Sequence, residues 1–267
     1  PATEILEAFA RYWHVYAEWA PNEKVAFEVA MGASLAGARS LVAMKHVGLN
    51  VAADPLMTAT FTGVRGGFVI AVSDDVGMGS SQNVQDTRYF ARFAKVPLFE
   101  PSDSEEARTF VAEALRVSEE MDTPAILRLT TRISHVRSLV NLGERRGASF
   151  LGFSRDPAKY VMVPAHARKK HPKVLQRTTD LARLAEASPL NRIEWGDREV
   201  GIIASGPAYA YAREAFPEAS FLKLGFSFPL AEGLVREFAS KVKRLYIVEE
   251  LEGLVEADVL AMGIAVD

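Results

Sequence analysis

The chain has 267 residues, of which 49% are hydrophobic and 24% are charged, a balance typical of a soluble globular protein. Its net charge of -3 gives no electrostatic case for nucleic acid, and its lack of cysteine excludes disulfides, thiolate zinc sites and cysteine-ligated iron–sulfur clusters within it. We find no secretory signal and no apolar run near the roughly 20 residues that span a bilayer, so we expect a cytoplasmic protein without membrane contact. Because the chain begins with Pro1 rather than Met, we expect further sequence upstream.

Two helices are predicted at the start of the chain. Residues 1–19 place apolar side chains at helical spacing, and Trp13 and Trp19 are expected to be packing residues. Residues 22–38 predict a second helix that carries Glu23 near its start and is rich in glycine, alanine and serine. Glycine weakens an isolated helix by about 1 kcal/mol relative to alanine, so this composition indicates close approach of another backbone, a second subunit or a ligand.

The first candidate site follows the next strand. Residues 40–44 predict a buried strand, and Lys45 to Asn50 are expected to form a loop at its carboxyl end. This loop contains His46 and Gly48 as well as Asn50. Ligands of α/β sheets bind at the carboxyl ends of the strands, so these residues are candidates for ligand binding.

The second candidate site is the loop 74–83. It follows the continuous apolar run 68–73, which is typical of a parallel strand buried on both faces. Two acids followed by glycine, serine and asparagine resemble a cation loop, but the spacing of a calcium-binding loop is absent, so we do not predict a metal here. In the helix predicted over 84–93, Arg88 and Arg92 lie four residues apart. They are either exposed surface arginines, which the sequence favours, or a clamp for a carboxylate or phosphate.

The repeated strand and helix pattern predicts an α/β fold with a parallel sheet. It continues through a strand at 97–100, a helix at 105–121 and a strand at 125–129. Residues 142–197 interrupt it and are expected to be a connector with one helix and a basic, solvated run at 166–173. The pattern restarts over 198–267, which predicts a second, smaller α/β domain of about three strands.

Several stretches resemble the thiamine-diphosphate-dependent 2-oxoacid:ferredoxin oxidoreductases, and within them the alpha subunits of the indolepyruvate type. They are NEKVAFEVAMGASLAGARSLVAMKHVGLNVAADPLM, DDVGMGSSQNVQDTRYFARFAKVPLFEPSDSEEA and LRLTTRISHVR. The resemblance implies that 1–141 is the domain that binds the cofactor's aminopyrimidine, with its first strand upstream of this chain. It also implies that 198–267, which closes with VEELEGLVEADVLAMGI, is a transketolase C-terminal-like domain.

The resemblance also implies roles for single residues. The family's catalytic glutamate lies nine residues before a helix glycine, which gives Glu23 when counted from Gly32, with Glu28 as the competitor. A glutamate bound to N1′ of the pyrimidine favours the imino tautomer, whose nitrogen takes the proton from the thiazolium ring.

Four further residues are implied on the same ground. His46, Gly48 and Asn50 would contact the cofactor, and Arg92 would bind the substrate carboxylate, with Arg88 as the alternative.

The chain departs from a complete enzyme of this family in two ways. It has no GDG motif with a downstream asparagine to bind diphosphate and Mg²⁺, and it has no cysteine for [4Fe-4S] clusters. The resemblance therefore implies partners: a diphosphate-binding domain, an iron–sulfur domain or subunit, ferredoxin and coenzyme A, in a homo- or hetero-oligomer. The implied reaction is oxidative decarboxylation of an aryl-pyruvate to an acyl-coenzyme A. A non-oxidative thiamine-diphosphate decarboxylase or synthase subunit, and a non-catalytic scaffold, are the alternatives.

Overall fold

The computed structural model describes residues 2–144 and 150–267, which form two β-sheets with helices packed against them. The strands are β1 (Ser40–Lys45), β2 (Phe68–Asp74), β3 (Leu98–Phe99), β4 (Ala125–Thr130), β5 (Arg192–Glu194), β6 (Asp197–Ser205), β7 (Ala219–Leu224), β8 (Phe226–Phe228) and β9 (Arg244–Val248). The helices are α1 (Thr3–Phe9), α2 (Glu23–Leu35), α3 (His46–Val51), α4 (Ala53–Thr62), α5 (Thr87–Ala94), α6 (Ser104–Met121), α7 (Thr131–His135), α8 (Pro157–Tyr160), α9 (Pro164–Ala187), α10 (Gly206–Ala215), α11 (Glu232–Ala239) and α12 (Leu254–Ala261). The α/β class predicted from the sequence is confirmed.

The first sheet has the order β1-β2-β4-β3-β8, and its first four strands are parallel. Every residue of β2 is buried, because helices cover both faces of the sheet. Ile70 and Val72 pack on one face with residues from α2 to α5, whereas Val69 packs on the other with residues from α6 and α9. The parallel arrangement brings the carboxyl ends of β1 and β2 to the same edge of the sheet.

The second sheet has the order β5-β7-β6-β9. Strands β6, β7 and β9 are parallel, as the pattern over 198–267 predicts, and β5 pairs with β7 in the antiparallel direction. One core of this region is formed by apolar residues of β6, β7 and β9 with α11 and α12.

The two regions share a sheet. Strand β8 lies within the range assigned to the second domain, yet it pairs with β3 at the edge of the first sheet. The Glu100 N–H also donates to the carbonyl oxygen of Gly225 at 2.9 Å. The predicted domain boundaries at 141 and 197 stay a prediction. Backbone hydrogen bonds join residues of the first predicted domain to residues of the second.

Three local predictions are wrong. Lys45–Asn50 is not a loop: helix α3 begins directly after β1, because His46 and Leu49 lie three residues apart and are both buried against the sheet. The basic run 166–173 is largely exposed, as predicted, but it is not separate from the helix of the connector: it lies inside α9, whose Lys170 donates to backbone carbonyl oxygens.

The third wrong prediction concerns packing near the start of the chain. Trp13 and Trp19 do not pack in a core, since they are 95% and 67% exposed. Pro1 lies outside the described residues. Among the residues that the structure describes, we find no helix with the length and apolar character needed to cross a membrane.

Candidate functional site

The candidate site lies where α2 begins beside α3. Asn22 caps α2, because its side-chain oxygen accepts a hydrogen bond from the Val25 N–H at 3.0 Å. The cap fixes the start of the helix and places Glu23 in its first turn. Glu23 is half-buried, and its carboxylate forms no hydrogen bond or ion pair with any residue in the described part of the chain. A carboxylate held in this way can accept a hydrogen bond from a ligand.

Gly48 lies directly under Glu23. A Cβ atom built on Gly48 would lie 2.5 Å from Cγ, 2.9 Å from Oε1 and 3.0 Å from Cδ of Glu23. Helix α3 therefore contacts the acidic side chain through a residue that has no side chain of its own. Glu28, the competing carboxylate, is exposed farther along α2. The structure thus brings Glu23 and Gly48 together, and it leaves Glu28 outside this contact.

His46 is buried and holds the neighbouring loop in place. Its Nε2 lies 3.1 Å from the carbonyl oxygen of Asn83, and its Nδ1 accepts from the Asp75 N–H at 3.3 Å. These two contacts require the neutral ring with the proton on Nε2. Both nitrogens are thus bound to the loop 74–83, so this ring supports the site rather than offering a free nitrogen to a ligand. Asn50, by contrast, is exposed on α3.

Asp75 organises the loop, a role that the sequence reasoning missed. Its carboxylate accepts from the N–H groups of Gly79 at 3.0 Å and Ser80 at 2.8 Å, and from the Ser81 hydroxyl at 2.8 Å. The Ser80 N–H bond is the largest reason that the pKa of Asp75 falls below its ordinary value, followed by the other donors, which outweigh the effect of burial. Lys45 donates to the Ser80 carbonyl oxygen at 3.1 Å, so strand β1 also supports the loop.

Arg88 is neither a surface residue nor an available clamp. Its side chain is 1% exposed, and its Nε and Nη2 donate to the Asp86 carboxylate at 2.9 and 2.6 Å. Its Nη1 donates to the Glu249 carboxylate, and its Nη2 also donates to the carbonyl oxygen of Glu250 at 2.9 Å. Arg88 therefore joins α5 to the turn after β9.

Arg92 lies one helical turn farther on. It forms an ion pair with Asp258 of α12, with the two side chains 45% and 23% exposed. Its guanidinium is therefore much more accessible than that of Arg88, although it too contacts the second sheet region.

A second buried arginine extends this contact. Arg128 of β4 donates to Asp74 at 2.6 Å and to Glu100 at 2.5 Å, and its side chain is 2% exposed. Burial alone would lower the pKa of Arg128, but the neighbouring carboxylates raise it above its ordinary value. Burial also raises the pKa of the nearby Glu250 carboxyl group. We find no cluster of three or more histidine, aspartate or glutamate side chains suited to a metal ion in residues 2–144 and 150–267.

The comparisons with known proteins identify the family of this chain. Residues 1–179 match the family model described as pyruvate flavodoxin/ferredoxin oxidoreductase, thiamine-diphosphate-binding. The chain belongs to this oxidoreductase family. The subunit IorA of indolepyruvate oxidoreductase from Methanothermobacter thermautotrophicus is 45% identical over 273 residues, covering 98% of this chain and 44% of that protein. IorA from Thermococcus kodakarensis is 46% identical over 269 residues, covering 96% of this chain and 42% of that protein. The chain thus spans less than half the length of these relatives.

The fold is also found in solved structures. The 2-oxoglutarate:ferredoxin oxidoreductase from Magnetococcus marinus superposes with a TM-score of 0.77 at 14% identity, covering 98% of this chain and 55% of that one. A split-gene transketolase, an inactive tetramer, gives a TM-score of 0.60 at 17% identity, covering 97% of this chain and 75% of that one. These likenesses support the predicted pairing of a thiamine-diphosphate pyrimidine-binding fold with a transketolase C-terminal-like fold.

The residues at the site suit this family's cofactor. An aminopyrimidine ring carries nitrogen atoms that hydrogen-bond to a carboxylate, and Glu23 presents a carboxylate that no described residue engages. The family model that matches residues 1–179 is that of the thiamine-diphosphate-binding domain.

Proposed function

We propose that this chain supplies the pyrimidine-binding half of the active site in a 2-oxoacid:ferredoxin oxidoreductase that acts on indolepyruvate-like aryl-pyruvates. The observation that carries the proposal is the position of Glu23, which is half-buried at the start of α2, seated on Gly48 and without a hydrogen-bond partner in residues 2–144 and 150–267. The names of the IorA relatives support the substrate class.

Bound thiamine diphosphate would supply a nucleophilic thiazolium carbon and an electron sink for loss of CO₂ from the 2-oxo acid. In this proposal, Glu23 holds the proton on the ring nitrogen of the aminopyrimidine. Glu23 lies in the first turn of α2, directly after the capping residue Asn22. His46 and Asp75 hold the loop 74–83 against α3, the helix whose Gly48 contacts Glu23. Asn50, which is exposed on α3, is proposed to contact the cofactor.

Arg92 is the arginine that we propose to bind the substrate carboxylate. Its side chain is 45% exposed, and its ion pair with Asp258 can be exchanged for another carboxylate at modest cost. Arg88 is a poorer candidate, because binding a substrate would require the loss of its buried contacts to Asp86 and Glu249.

The remaining parts of the reaction require partners. The chain contains no cysteine and no GDG motif, and its relatives are about twice its length. We propose that a diphosphate-binding domain with Mg²⁺ and a domain or subunit with [4Fe-4S] clusters complete the enzyme. Electrons would then pass to ferredoxin, and coenzyme A would accept the acyl group.

The decisive experiment is substitution of Glu23 in the assembled complex. Glu23→Gln keeps the size of the side chain but removes its ability to exchange a proton, so we expect turnover to fall by about 10²–10⁴-fold while assembly is retained. Glu28→Gln, on the exposed side of the same helix, is the matched control and should change turnover by less than about twofold. Full turnover by Glu23→Gln would refute the proposal.

Two further measurements separate the alternatives. Isothermal titration of thiamine diphosphate into the complex should show binding, whereas a non-catalytic scaffold would show none. Release of an aldehyde or ketol without coenzyme A or ferredoxin would instead identify a non-oxidative decarboxylase or synthase.

A further inference from the structure

Gly48 is a buried helical glycine whose lack of a side chain needs an explanation. Its backbone angles are not in the left-handed region that favours glycine, so the conformation itself would accept alanine. Alanine also favours a helix over glycine. The choice of glycine therefore has to be explained by the space around it rather than by its own backbone.

The atoms that restrict this space all belong to one side chain. The three nearest heavy atoms to a Cβ on Gly48 are Cγ, Oε1 and Cδ of Glu23, at 2.5, 2.9 and 3.0 Å. At Gly32, in the neighbouring helix α2, an added Cβ would have no heavy atom within 4 Å. An added methyl group would thus be in close contact at Gly48, which packs against Glu23, but not at Gly32 in the neighbouring helix.

We infer that Gly48 is a positioning residue that sets where the Glu23 carboxylate lies, an inference that rests on the proposed function of Glu23. A methyl group at position 48 would overlap the middle of the Glu23 side chain rather than the backbone of α2. Since that side chain can rotate, the fold would survive and the carboxylate would move instead. A displacement of about 1 Å at a reacting group can reduce a rate by about 10²-fold.

The test combines Gly48→Ala with Gly32→Ala as the matched control and Glu23→Gln as the second mutation of a double-mutant cycle. Crystal structures of the two alanine variants without cofactor would give the position of the Glu23 carboxylate. Calorimetry with thiamine diphosphate and turnover of the assembled complex would give the functional effects. For Gly48→Ala we expect a carboxylate displacement of about 1 Å or more and a fall in turnover of about 10- to 100-fold. Gly32→Ala should leave the Glu23 carboxylate in its wild-type position, since a Cβ at position 32 has no heavy atom of this chain within 4 Å.

The cycle distinguishes positioning from general damage. If Gly48 acts only through Glu23, then Gly48→Ala should cause no further loss of turnover in the Glu23→Gln background. An equal loss in both backgrounds, or a carboxylate that stays in place, would overturn the inference. Full turnover by Gly48→Ala would also overturn it, while leaving the role of Glu23 intact. Full turnover by Glu23→Gln would instead refute the proposed function itself.

Discussion

Arg88 should contribute far more to stability than Arg92, although the two residues lie one turn apart on α5. Arg88→Met removes the guanidinium while keeping most of the side-chain volume, so its effect reports the lost charge rather than a cavity. The change would leave the carboxylates of Asp86 and Glu249 without Arg88 while they are only 2% and 6% exposed. Burial alone would raise the pKa of Asp86, but Arg88 and Arg128 hold it below its ordinary value.

Removing one partner of a buried ion pair typically costs about 3–5 kcal/mol, because the remaining charge stays desolvated. Arg92→Met is the matched control: it breaks an ion pair whose arginine is 45% exposed, so its cost should be only about 0.2–1 kcal/mol. Urea unfolding followed by far-UV circular dichroism measures both. With an m value of about 3 kcal/mol/M, the Arg88→Met midpoint should fall by roughly 1–1.7 M.

Fluorescence of Trp195 adds a local reading when the exposed Trp13 and Trp19 are replaced by phenylalanine in both variants, since Trp195 packs against Phe238 in the second sheet region. If Arg88 joins the two regions, this signal should change at a lower urea concentration in Arg88→Met than in Arg92→Met. Equal midpoints for the two variants would refute the reasoning, because they would mean that the buried contacts of Arg88 contribute no more than an exposed ion pair.

Two further predictions concern Arg92 and Glu250. Arg92→Met should raise KM for the 2-oxo acid in the assembled complex by about 10-fold or more, as expected for loss of a charge-assisted hydrogen bond, and an unchanged KM would remove Arg92 from the substrate site. Glu250→Gln should stabilise the protein increasingly as the pH rises. Burial raises the pKa of Glu250 in the folded state. The wild-type protein therefore loses stability as the pH rises from the unfolded-state pKa of this group, about 4.3, through its folded-state pKa. Glutamine does not ionise, so the variant has no such loss. Urea midpoints of both proteins at pH 5 and pH 8 measure this difference, and a difference that is the same at both values would contradict it.

The sequence by itself determined the class of fold and the order of most elements. Continuous apolar runs such as 68–73 have no polar face, so they can be stable only between two layers of helices. The start of α2 was also predicted, because the helix expected over 22–38 with Glu23 near its start begins at Glu23 in the structure. The sequence also distinguished Glu23 from Glu28 as the candidate catalytic residue, because helical periodicity places them at different angles around the helix axis.

Only the tertiary structure decided what these side chains contact. The environment of Arg88 could not be predicted, because its partners Asp86 and Glu249 are separated by more than 160 residues and meet only when β9 is placed beside α5. The same holds for β8, whose pairing with β3 depends on how the second region folds back onto the first sheet. Helix α3 looked like a loop because its short sequence contains glycine and asparagine, which have low helix propensity, and its stability comes from burial of His46 and Leu49. The contact between Glu23 and Gly48 is likewise decided by the tertiary structure, because it is a packing contact between two helices that no spacing in the sequence encodes.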